Sequence, residues 1–552
     1  MSHHRAENYK VVSNPNEVRL KRSNFSVKLR KEQRELALGK RRKAGNGIVA
    51  SEVLEDKAVV LVPESLPLPL LNTLTSTSSS SSNSSTSNFP IPPVVNNNSH
   101  GELLPDEIVV QAINGLSNGE VRVRLSNLQQ IRHYTAVPKA SRQLMQLFRL
   151  GAIPPCIMLL KDQTNRDCRY EACWIINNIA SGSTRFVQSL IENGVLPPLF
   201  DALHGVEDFQ IHEHALWALF NIGGDGFRYA LQLIEEYKFV DQLVQLATGN
   251  PHLINNIQYA QTWAWGLASF CQHKFGVKML AGLIPILSTL LAHSDERILV
   301  EVCSAFHFLT EENTQDGDNI QIEAITSQPG VVNRLIRLLY CPECEVLRPA
   351  IRVIANIASG NRAHSDLLFR EGIVDALETM FAHKNADIEF QLCYAISNLA
   401  SECPEHTNQL FRFVPKIKRI AMNGKTGFRT RVETTWCFIN LVLMGATERI
   451  RECILSDGEV ILGLVDMLGS EEPSLLVKLM EVFGRLIEMD LEFVTRLSDT
   501  FAISKIEDLQ GHNNVKVYKA AVFLSDQIVK AVEKQDEVLQ TFHLHNFDSK
   551  IE

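Results

Sequence analysis

Apolar residues recur at three- and four-residue spacing along most of the chain, from Leu104 to about residue 530. This spacing places apolar side chains on one face of an α-helix. Short breaks that contain glycine, proline or asparagine separate the apolar runs, and we find no convincing set of runs with the alternating pattern of β-strands. The pattern therefore predicts an all-α protein made of many helices.

A tryptophan followed four residues later by an asparagine recurs along the chain. The pair occurs as Trp174 with Asn178, Trp217 with Asn221 and Trp436 with Asn440, and altered copies occur as Trp265 with Ser269 and Tyr394 with Asn398. Residues four apart lie one above the other on one face of a helix. Each full copy therefore offers an aromatic ring beside a carboxamide.

A second marker is a glycine that opens an apolar run, often with proline close behind. It occurs at Gly151, Gly194, Gly282, Gly330 and Gly372. We interpret these glycines as left-handed caps, each ending one helix just before the next begins. Adjacent copies of the tryptophan marker lie 42 to 48 residues apart, close to the roughly 40–47 residues of armadillo and HEAT repeats. Such repeats stack into a continuous core with a concave surface.

Composition divides the chain into four segments. Residues 1–43 are a basic arm, residues 44–104 a linker, residues 105–530 the array of about ten repeats, and residues 531–552 a tail. Between Thr73 and Asn88 the linker is almost wholly Ser, Thr and Asn. Such a stretch buries too little apolar surface to offset the entropy lost on ordering, so we expect disorder there.

Charge is distributed unevenly between the arm and the rest of the chain. From Arg19 to Lys43 there are eleven lysines and arginines against two glutamates, a net charge of +9. Because the whole chain carries −9, the remaining residues carry −18. A basic arm on an acidic body indicates either a tail that contacts nucleic acid or a segment that folds back or binds an acidic partner.

The sequence contains no motif that indicates catalysis. We find no HExxH, phosphate-binding loop or nucleophile elbow, so we predict neither an enzyme nor a cofactor. Candidate metal ligands lack further partners at the required spacing; they are His212 with His214, His543 with His545, and Cys341 with Cys344. The eleven scattered cysteines are typical of free thiols in a reducing compartment. No run approaches the roughly 18–20 apolar residues of a membrane span.

Together these features resemble the importin-α (karyopherin-α) family of nuclear import adaptors, over nearly the whole chain. The resemblance rests on the recurring Trp-x-x-x-Asn pairs, on residues 27–31 and 40–42 of the arm, and on residues 510–520. It implies a right-handed superhelical solenoid of armadillo repeats in which the pairs lie on the third helix of each repeat and line a groove. It also implies that the arm binds importin-β and that the C-terminal repeat contributes to the surface for an export receptor.

The resemblance implies two peptide-binding sites and a binding arm. The major site would comprise Trp174, Asn178, Gly182, Glu213, Trp217, Asn221, Asp225 and Trp265. The minor site would comprise Arg352, Asn356, Tyr394, Asn398, Glu433, Trp436 and Asn440. The arm would bind importin-β, and compete with cargo, through Arg30, Lys31, Lys40, Arg41, Arg42 and Lys43.

Several positions depart from the family pattern. In the major site, Ser269 stands in place of an asparagine, and His214 and Thr262 replace other polar groove residues. In the minor site, Ser304 and Tyr394 stand in place of tryptophans and Phe308 in place of a tyrosine, and a longer segment runs from Glu311 to Gly330. We therefore expect the major site to be better formed than the minor one.

The chemistry of these residues suits an extended, lysine-rich peptide. Carboxamides donate to and accept from its backbone, aromatic faces pack its lysine stems, and Asp225 is expected to pair with a key lysine. Packing alone gives no evident reason to place an asparagine one turn beyond each tryptophan, which favours a binding role. The alternative is an armadillo scaffold of the β-catenin kind for another class of extended peptide, but this acidic body lacks the lysine- and arginine-lined groove that such a scaffold would use.

The resemblance also implies a set of partners. They are importin-β, cargo proteins with basic nuclear localisation signals, an export receptor of the exportin-2 type, and the nuclear pore complex through importin-β. Neither nucleic acid nor a membrane is expected as a direct partner. The protein is expected to shuttle between cytoplasm and nucleus, with a transient presence at the nuclear envelope.

Overall fold

The computed structural model describes residues 103–136, 141–205, 208–273, 275, 277–311 and 320–548. The basic arm with its predicted residues Arg30, Lys31, Lys40, Arg41, Arg42 and Lys43, and all but the end of the linker, lie outside the described residues. The predictions of disorder and of importin-β binding made for those segments concern residues outside this description.

Within the described ranges every regular element is a helix, which agrees with the all-α prediction. The α-helices, numbered here in chain order, are α1 Asp106–Gly115, α2 Val121–Thr135, α3 Ser141–Arg149, α4 Ile153–Lys161, α5 Arg166–Ala180, α6 Thr184–Glu192, α7 Leu196–His204, α8 Phe209–Asp225, α9 Phe227–Glu235, α10 Phe239–Ala247, α11 His252–Asn255, α12 Ile257–Cys271, α13 Val277–Leu280, α14 Leu283–Leu290, α15 Glu296–Thr310, α16 Ile320–Thr326, α17 Val331–Leu338, α18 Cys344–Ala358, α19 Arg362–Arg370, α20 Ile373–Met380, α21 Ala386–Leu399, α22 Pro404–Leu410, α23 Val414–Met422, α24 Phe428–Met444, α25 Thr447–Ile450, α26 Gly458–Asp466, α27 Pro473–Met489, α28 Phe493–Ser498, α29 Ala502–Leu509 and α30 Val515–Asp548. Short stretches of 3₁₀ or π geometry occur at Phe411–Phe413, Arg451–Leu455 and Met467–Gly469.

Ten of these helices, of 14 to 34 residues, are called the long helices: α2, α5, α8, α12, α15, α18, α21, α24, α27 and α30. The chain divides into two compact units, with the division after Asp201. In the first unit α2 packs on α5. In the second unit each long helix from α8 to α30 packs on the next one in sequence. This is the nearest-neighbour packing expected of a helical repeat.

Side chains just before several long helices fix where those helices begin. An asparagine or aspartate oxygen accepts a backbone N–H of the first turn, at Asn165, Asp208, Asn256, Asp295 and Asn385. The first N–H groups of a helix have no partner within the helix, and each such cap contributes about 1 kcal/mol. The recurrence of this cap gives successive long helices a common starting point.

The glycine marker is confirmed at four of its five positions. Gly151, Gly194, Gly330 and Gly372 have left-handed φ values of 79°, 73°, 75° and 87°. Gly282 was predicted to do the same, but its φ is −62°. A Cβ at position 282 would lie 3.0 Å from a Val244 methyl group, so this glycine permits close packing against α10 and makes no left-handed turn.

The end of the chain differs from the predicted boundary at residue 530. Helix α30 continues without a break from Val515 to Asp548. Residue 530 is therefore inside a helix, and the predicted tail 531–552 begins as a continuation of the last long helix.

All eleven cysteines lie in the described part of the chain, and none is paired with another, including Cys341 and Cys344. Burial raises the pKa of the Cys156 and Cys303 thiols to about 12, which leaves them protonated at neutral pH. None of the helices in the described ranges is by itself long and apolar enough to cross a membrane, although the bent pair α3 and α4 meets the length and composition criteria when taken together.

Candidate functional site

Each predicted aromatic–asparagine pair lies in the second half of a long helix. Helix α5 carries Trp174 and Asn178, α8 carries Trp217 and Asn221, α12 carries Trp265, α21 carries Tyr394 and Asn398, and α24 carries Trp436 and Asn440. Helix α18 carries Arg352 and Asn356. The first of these pairs belongs to the first compact unit and the others to the second.

Four of the asparagines form hydrogen bonds to the preceding long helix, and these contacts are called the asparagine bridges. The Nδ2 atoms of Asn178 and Asn356 donate to the hydroxyl oxygens of Thr135 and Thr310, at 3.1 and 2.9 Å. Those of Asn398 and Asn440 donate to the carbonyl oxygens of Ala355 and Ser397, at 3.0 and 2.7 Å. All four acceptors lie in the last turn of the neighbouring helix.

The asparagine bridges correct one step of the sequence argument, which found no packing reason for these residues. Two of the bridges reach carbonyl oxygens in the last turn of the neighbouring helix and two reach threonine hydroxyls there, so each carboxamide links its helix to the preceding one. The recurrence of asparagine therefore has a structural cause. All four asparagines are buried, with exposures from 0% for Asn178 to 8% for Asn356.

Ser269, which stands where another asparagine was expected, forms no such bridge. Its hydroxyl donates to the carbonyl of Trp265 within α12, at 2.9 Å. The neighbouring helix end is reached instead by Gln272, whose Nε2 lies 3.3 Å from the Gly224 carbonyl oxygen, and by His273, whose Nε2 lies 2.9 Å from that of Gly223. The contact between α8 and α12 is thus made by the residues that follow Ser269.

The aromatic rings of the pairs differ in how far they are exposed. Trp174 and Trp217 are 9% and 7% exposed, and Trp436 is 1% exposed. Trp265 and Tyr394 are half-buried. Of the predicted rings, Trp265 and Tyr394 therefore offer the most surface to a ligand, whereas Trp436 is packed like a core residue.

Trp174 is covered by a buried ion pair that the sequence argument missed. The guanidinium carbon of Arg132 lies 4.5 Å from the centroid of the Trp174 ring. Its Nε donates to Oε2 of Glu171 at 2.5 Å, and the two charged side chains are only 8% and 6% exposed. Burial raises the pKa of the Glu171 carboxyl, and the adjacent Arg132 guanidinium opposes that rise. This contact could have been anticipated from spacing, because Arg132 precedes Trp174 by 42 residues, about one repeat.

A second aromatic contact surrounds Tyr394. The ring of Phe390 lies parallel to that of Tyr394, with centroids 6.4 Å apart, and the guanidinium carbon of Arg429 lies 3.9 Å from the Phe390 centroid. Phe390 precedes Tyr394 by one helical turn, as Tyr170 precedes Trp174. Neither Phe390 nor Tyr170 was proposed as a site residue from the sequence, although each could have been found from its spacing of four residues before Tyr394 or Trp174.

Arg352 and Asn356 of α18 lie against His307 of α15. Nη1 of Arg352 lies 3.4 Å from Nε2 of His307, and Nδ2 of Asn356 lies 3.3 Å from Nδ1 of the same ring. Ser304 instead donates to Val300 within its own helix. Ser304 and Phe308 are the ninth and thirteenth residues of α15, the same positions that Trp174 and Asn178 hold in α5 and that Tyr394 and Asn398 hold in α21. That they stand in for the family aromatics stays a prediction.

The remaining predicted residues have varied surroundings. Glu213 and Asp225 are half-buried at the two ends of α8, and Glu433 is buried in α24. Gly182 follows α5, where a Cβ would lie 2.4 Å from the Phe186 ring, so packing alone requires glycine there. His212 contacts the Leu203 carbonyl and the Tyr259 hydroxyl, both at 2.7 Å, as a core histidine does. Among the described residues no group of three or more potential ligands is placed to hold a metal ion.

Comparison with known proteins adds two family matches. Residues 5–100 match the importin beta binding domain, and residues 183–223 and 318–359 match the armadillo/beta-catenin-like repeat. Importin subunit alpha-8 of Arabidopsis thaliana is 24% identical over 436 residues, which cover 75% of this chain and 92% of the relative. Importin subunit alpha-B of Dictyostelium discoideum is 32% identical over 223 residues, 40% of this chain and 41% of the relative.

The chain belongs to the importin-α family. The match to the importin beta binding domain extends across the predicted boundary between arm and linker at residue 43, and it precedes the matches to armadillo repeats. Membership assigns the chain to the proteins of nuclear transport, which is a class of adaptors rather than of enzymes.

Solved structures agree with the armadillo fold of this importin-α family member. An engineered protein superposes with a TM-score of 0.65 at 20% identity, covering 77% of this chain and 99% of that one. A chain from a study of the cadherin and beta-catenin interaction superposes with a TM-score of 0.51 at 11% identity, covering 77% and 91%. At these identities the likeness shows the fold alone.

Proposed function

We propose that this importin-α family member is a nuclear import adaptor. It binds lysine- and arginine-rich localisation signals along its long helices and links the cargo to importin-β through its arm. The observation that carries the proposal is the match of residues 5–100 to the importin beta binding domain, ahead of helices that bear Trp–Asn pairs. A binding segment for the carrier and a surface for the cargo are the two parts that an adaptor needs.

The geometry supports recognition of a basic, extended peptide. Half-buried Trp265 and Tyr394 offer ring faces on which a lysine stem packs, each such contact contributing about 0.5–2 kcal/mol. The carboxamides of Asn398 and Asn440 lie on the same helices as aromatic residues. Acidic Asp225 and Glu213 attract the ammonium groups. The net charge of −18 outside the segment Arg19–Lys43 favours a basic ligand over the acidic ligands of a scaffold.

We further propose that the arm competes with cargo. Lys40–Lys43 has the composition of a cargo signal, and the linker keeps it at high local concentration near the repeats. Importin-β, by binding the arm, removes the competitor and allows the complex to pass the nuclear pore. An export receptor of the exportin-2 type then favours the form in which the arm displaces cargo. The protein accordingly shuttles between cytoplasm and nucleus and is present transiently at the nuclear envelope.

The proposal is tested by fluorescence anisotropy of a labelled lysine-rich localisation peptide titrated with the full chain. We expect binding that Trp217→Ala/Asn221→Ala weakens at least tenfold, a loss of about 1.4 kcal/mol or more. Thermal denaturation of both proteins serves as the control, because Trp217 and Asn221 are buried and their replacement also affects stability. Absence of binding to the intact chain, with or without importin-β, would contradict the proposal and favour an armadillo scaffold for another peptide class.

A further inference from the structure

The first of the candidate tryptophans already has a cationic side chain on its ring. Arg132 of α2 and Glu171 and Trp174 of α5 form one buried cluster, with the guanidinium carbon 4.5 Å from the indole centroid. Arginine and glutamate are rarely buried this far unless they are paired, and here Nε and Oε2 are 2.5 Å apart. The cluster lies wholly within the first compact unit.

Arg132 is the twelfth residue of α2, and its guanidinium lies over the ring of Trp174, the ninth residue of α5. It precedes Trp174 by 42 residues, and Thr135, one turn further along α2, receives the bridge from Asn178. A cation over an aromatic face is the same contact by which a peptide lysine or arginine would bind Trp174. The protein itself therefore supplies the cation on the ring of Trp174.

We propose that Arg132 limits the basic peptide that this surface accepts. It covers the face of Trp174 towards α2, so that a further lysine or arginine of the peptide gains no contact with this ring and is bound there no better than an uncharged residue. Arg132 is thus a specificity-determining residue. This inference rests on the proposed function, because it specifies which basic signals the adaptor binds.

The buried ion pair makes Arg132 hard to displace. A cargo lysine could approach the ring only after the contact between Arg132 and Glu171 was broken. Breaking a buried pair leaves an uncompensated charge, and that cost exceeds the gain from one cation–π contact. Arg352, which lies 42 residues before Tyr394, is half-buried and lies against His307.

The test uses the full chain and three labelled peptides in fluorescence anisotropy. One peptide has a five-residue core of lysines and arginines, the second adds two lysines at each end, and the third adds two alanines at each end. The variant Arg132→Met/Glu171→Leu replaces the pair with apolar side chains of similar size, a change that buried ion pairs often tolerate. The matched control Arg149→Met/Asp106→Leu removes an exposed pair of the same charges in the same unit.

We expect the wild type and the control to bind the lysine-extended and alanine-extended peptides with affinities within about twofold of each other. The Arg132→Met/Glu171→Leu variant is expected to prefer the lysine-extended peptide by about five- to tenfold, because the ring becomes available to a lysine stem. Arg132→Lys, which keeps the charge, is expected to keep the wild-type pattern. Circular dichroism verifies folding, and Arg132→Gln/Glu171→Gln provides the same test with polar neutral side chains.

The outcomes separate the two proposals. If the wild type binds the core peptide but already prefers the lysine extension as strongly as the double variant does, Arg132 imposes no limit and the inference is wrong, while the adaptor function stands. If no peptide binds the wild type or any variant, the proposed function is wrong and the inference falls with it.

Discussion

Single residues in the long helices serve packing and, in our proposal, binding at once. Asn356, Asn398 and Asn440 each donate to the last turn of the preceding helix. The aromatic residues differ more from one another: Trp265 is half-buried, whereas Trp263, two residues earlier on α12, is fully buried. Replacing one of these asparagines is therefore expected to lower the stability of the protein. Replacing a half-buried ring such as Trp265 is expected chiefly to weaken ligand binding.

Replacing Asn440 with alanine is expected to lower the free energy of unfolding by about 1 kcal/mol in the absence of any peptide. The reason is the loss of the 2.7 Å hydrogen bond to the Ser397 carbonyl between α21 and α24. Thermal denaturation followed by circular dichroism measures the effect. Asn513→Ala, at an exposed asparagine, is the control and should change stability by less than about 0.5 kcal/mol. Equal melting temperatures for the two variants would show that the bridge contributes nothing.

The two tryptophans of α12 offer a matched comparison. Trp265→Ala should weaken binding of a lysine-rich peptide by about fivefold while leaving the fold nearly as stable, because the ring is half-buried. Trp263→Ala should cost about 3–5 kcal/mol of stability, because it removes a fully buried ring from the core. Anisotropy and thermal denaturation on both variants distinguish the roles. A large loss of stability in the Trp265 variant would indicate that it too is a core residue.

At the scale of elements, short signals in the sequence determine where helices begin and end. Asparagine or aspartate precedes several long helices, and left-handed glycines separate the shorter helices at four of the predicted places. These signals act within a few residues, so they are visible in the sequence. Gly282 shows the limit of such local signals. Glycine is needed there because Val244 on another helix packs closely against it, and the spacing of residues along the chain carries no information about that contact.

Gly372 illustrates the cost of a left-handed position. Its φ is 87°, and a Cβ there would meet no other atom within 4 Å, so substitution by alanine costs only backbone strain. We expect Gly372→Ala to destabilise the protein by about 1–2 kcal/mol. Gly424, which also has open space around a Cβ but no positive φ, is the control and should tolerate alanine. If both variants melted at the same temperature, the left-handed turn would not be a constraint.

The sequence allowed more of the fold than of the site to be predicted. Repeat length, helix content and most glycine caps follow from local patterns and are present in the structure. The surroundings of the aromatic residues depend on contacts between neighbouring long helices, such as that of Arg132 with Trp174, 42 residues apart, and that of Arg352 with His307, 45 residues apart. The roles of the predicted site residues stay predictions.

At the scale of the whole molecule, the separation of charge suggests that the basic arm and a basic cargo alternate on one binding surface. The segment Arg19–Lys43 carries +9 and the remainder −18, so the arm and a basic cargo are attracted to the same acidic surface. In the proposed mechanism the arm has the advantage of being tethered, and importin-β removes that advantage by binding it.

Removing the positive charges of residues 40–43 of the arm should strengthen cargo binding. We expect the full chain with Lys40→Ala/Arg41→Ala/Arg42→Ala/Lys43→Ala to bind a labelled localisation peptide about tenfold or more tightly than the wild type, with importin-β adding no further gain. Arg19→Ala/Lys21→Ala/Arg22→Ala, which removes charge from the front of the same arm, should leave the affinity within about threefold. Unchanged affinity in the first variant would exclude competition by the arm.

The asparagine bridges also bear on how such a protein changes over evolutionary time. Because the carboxamides hold adjacent helices together, selection for a stable fold retains them even in a repeat that no longer meets a cargo. A ring that faces solvent has no such protection, so we expect it to change once cargo no longer selects for it. Tyr394 beside Asn398 fits that expectation. Ser269 beside Trp265 shows the converse, because where other contacts join the helices the asparagine itself is replaceable.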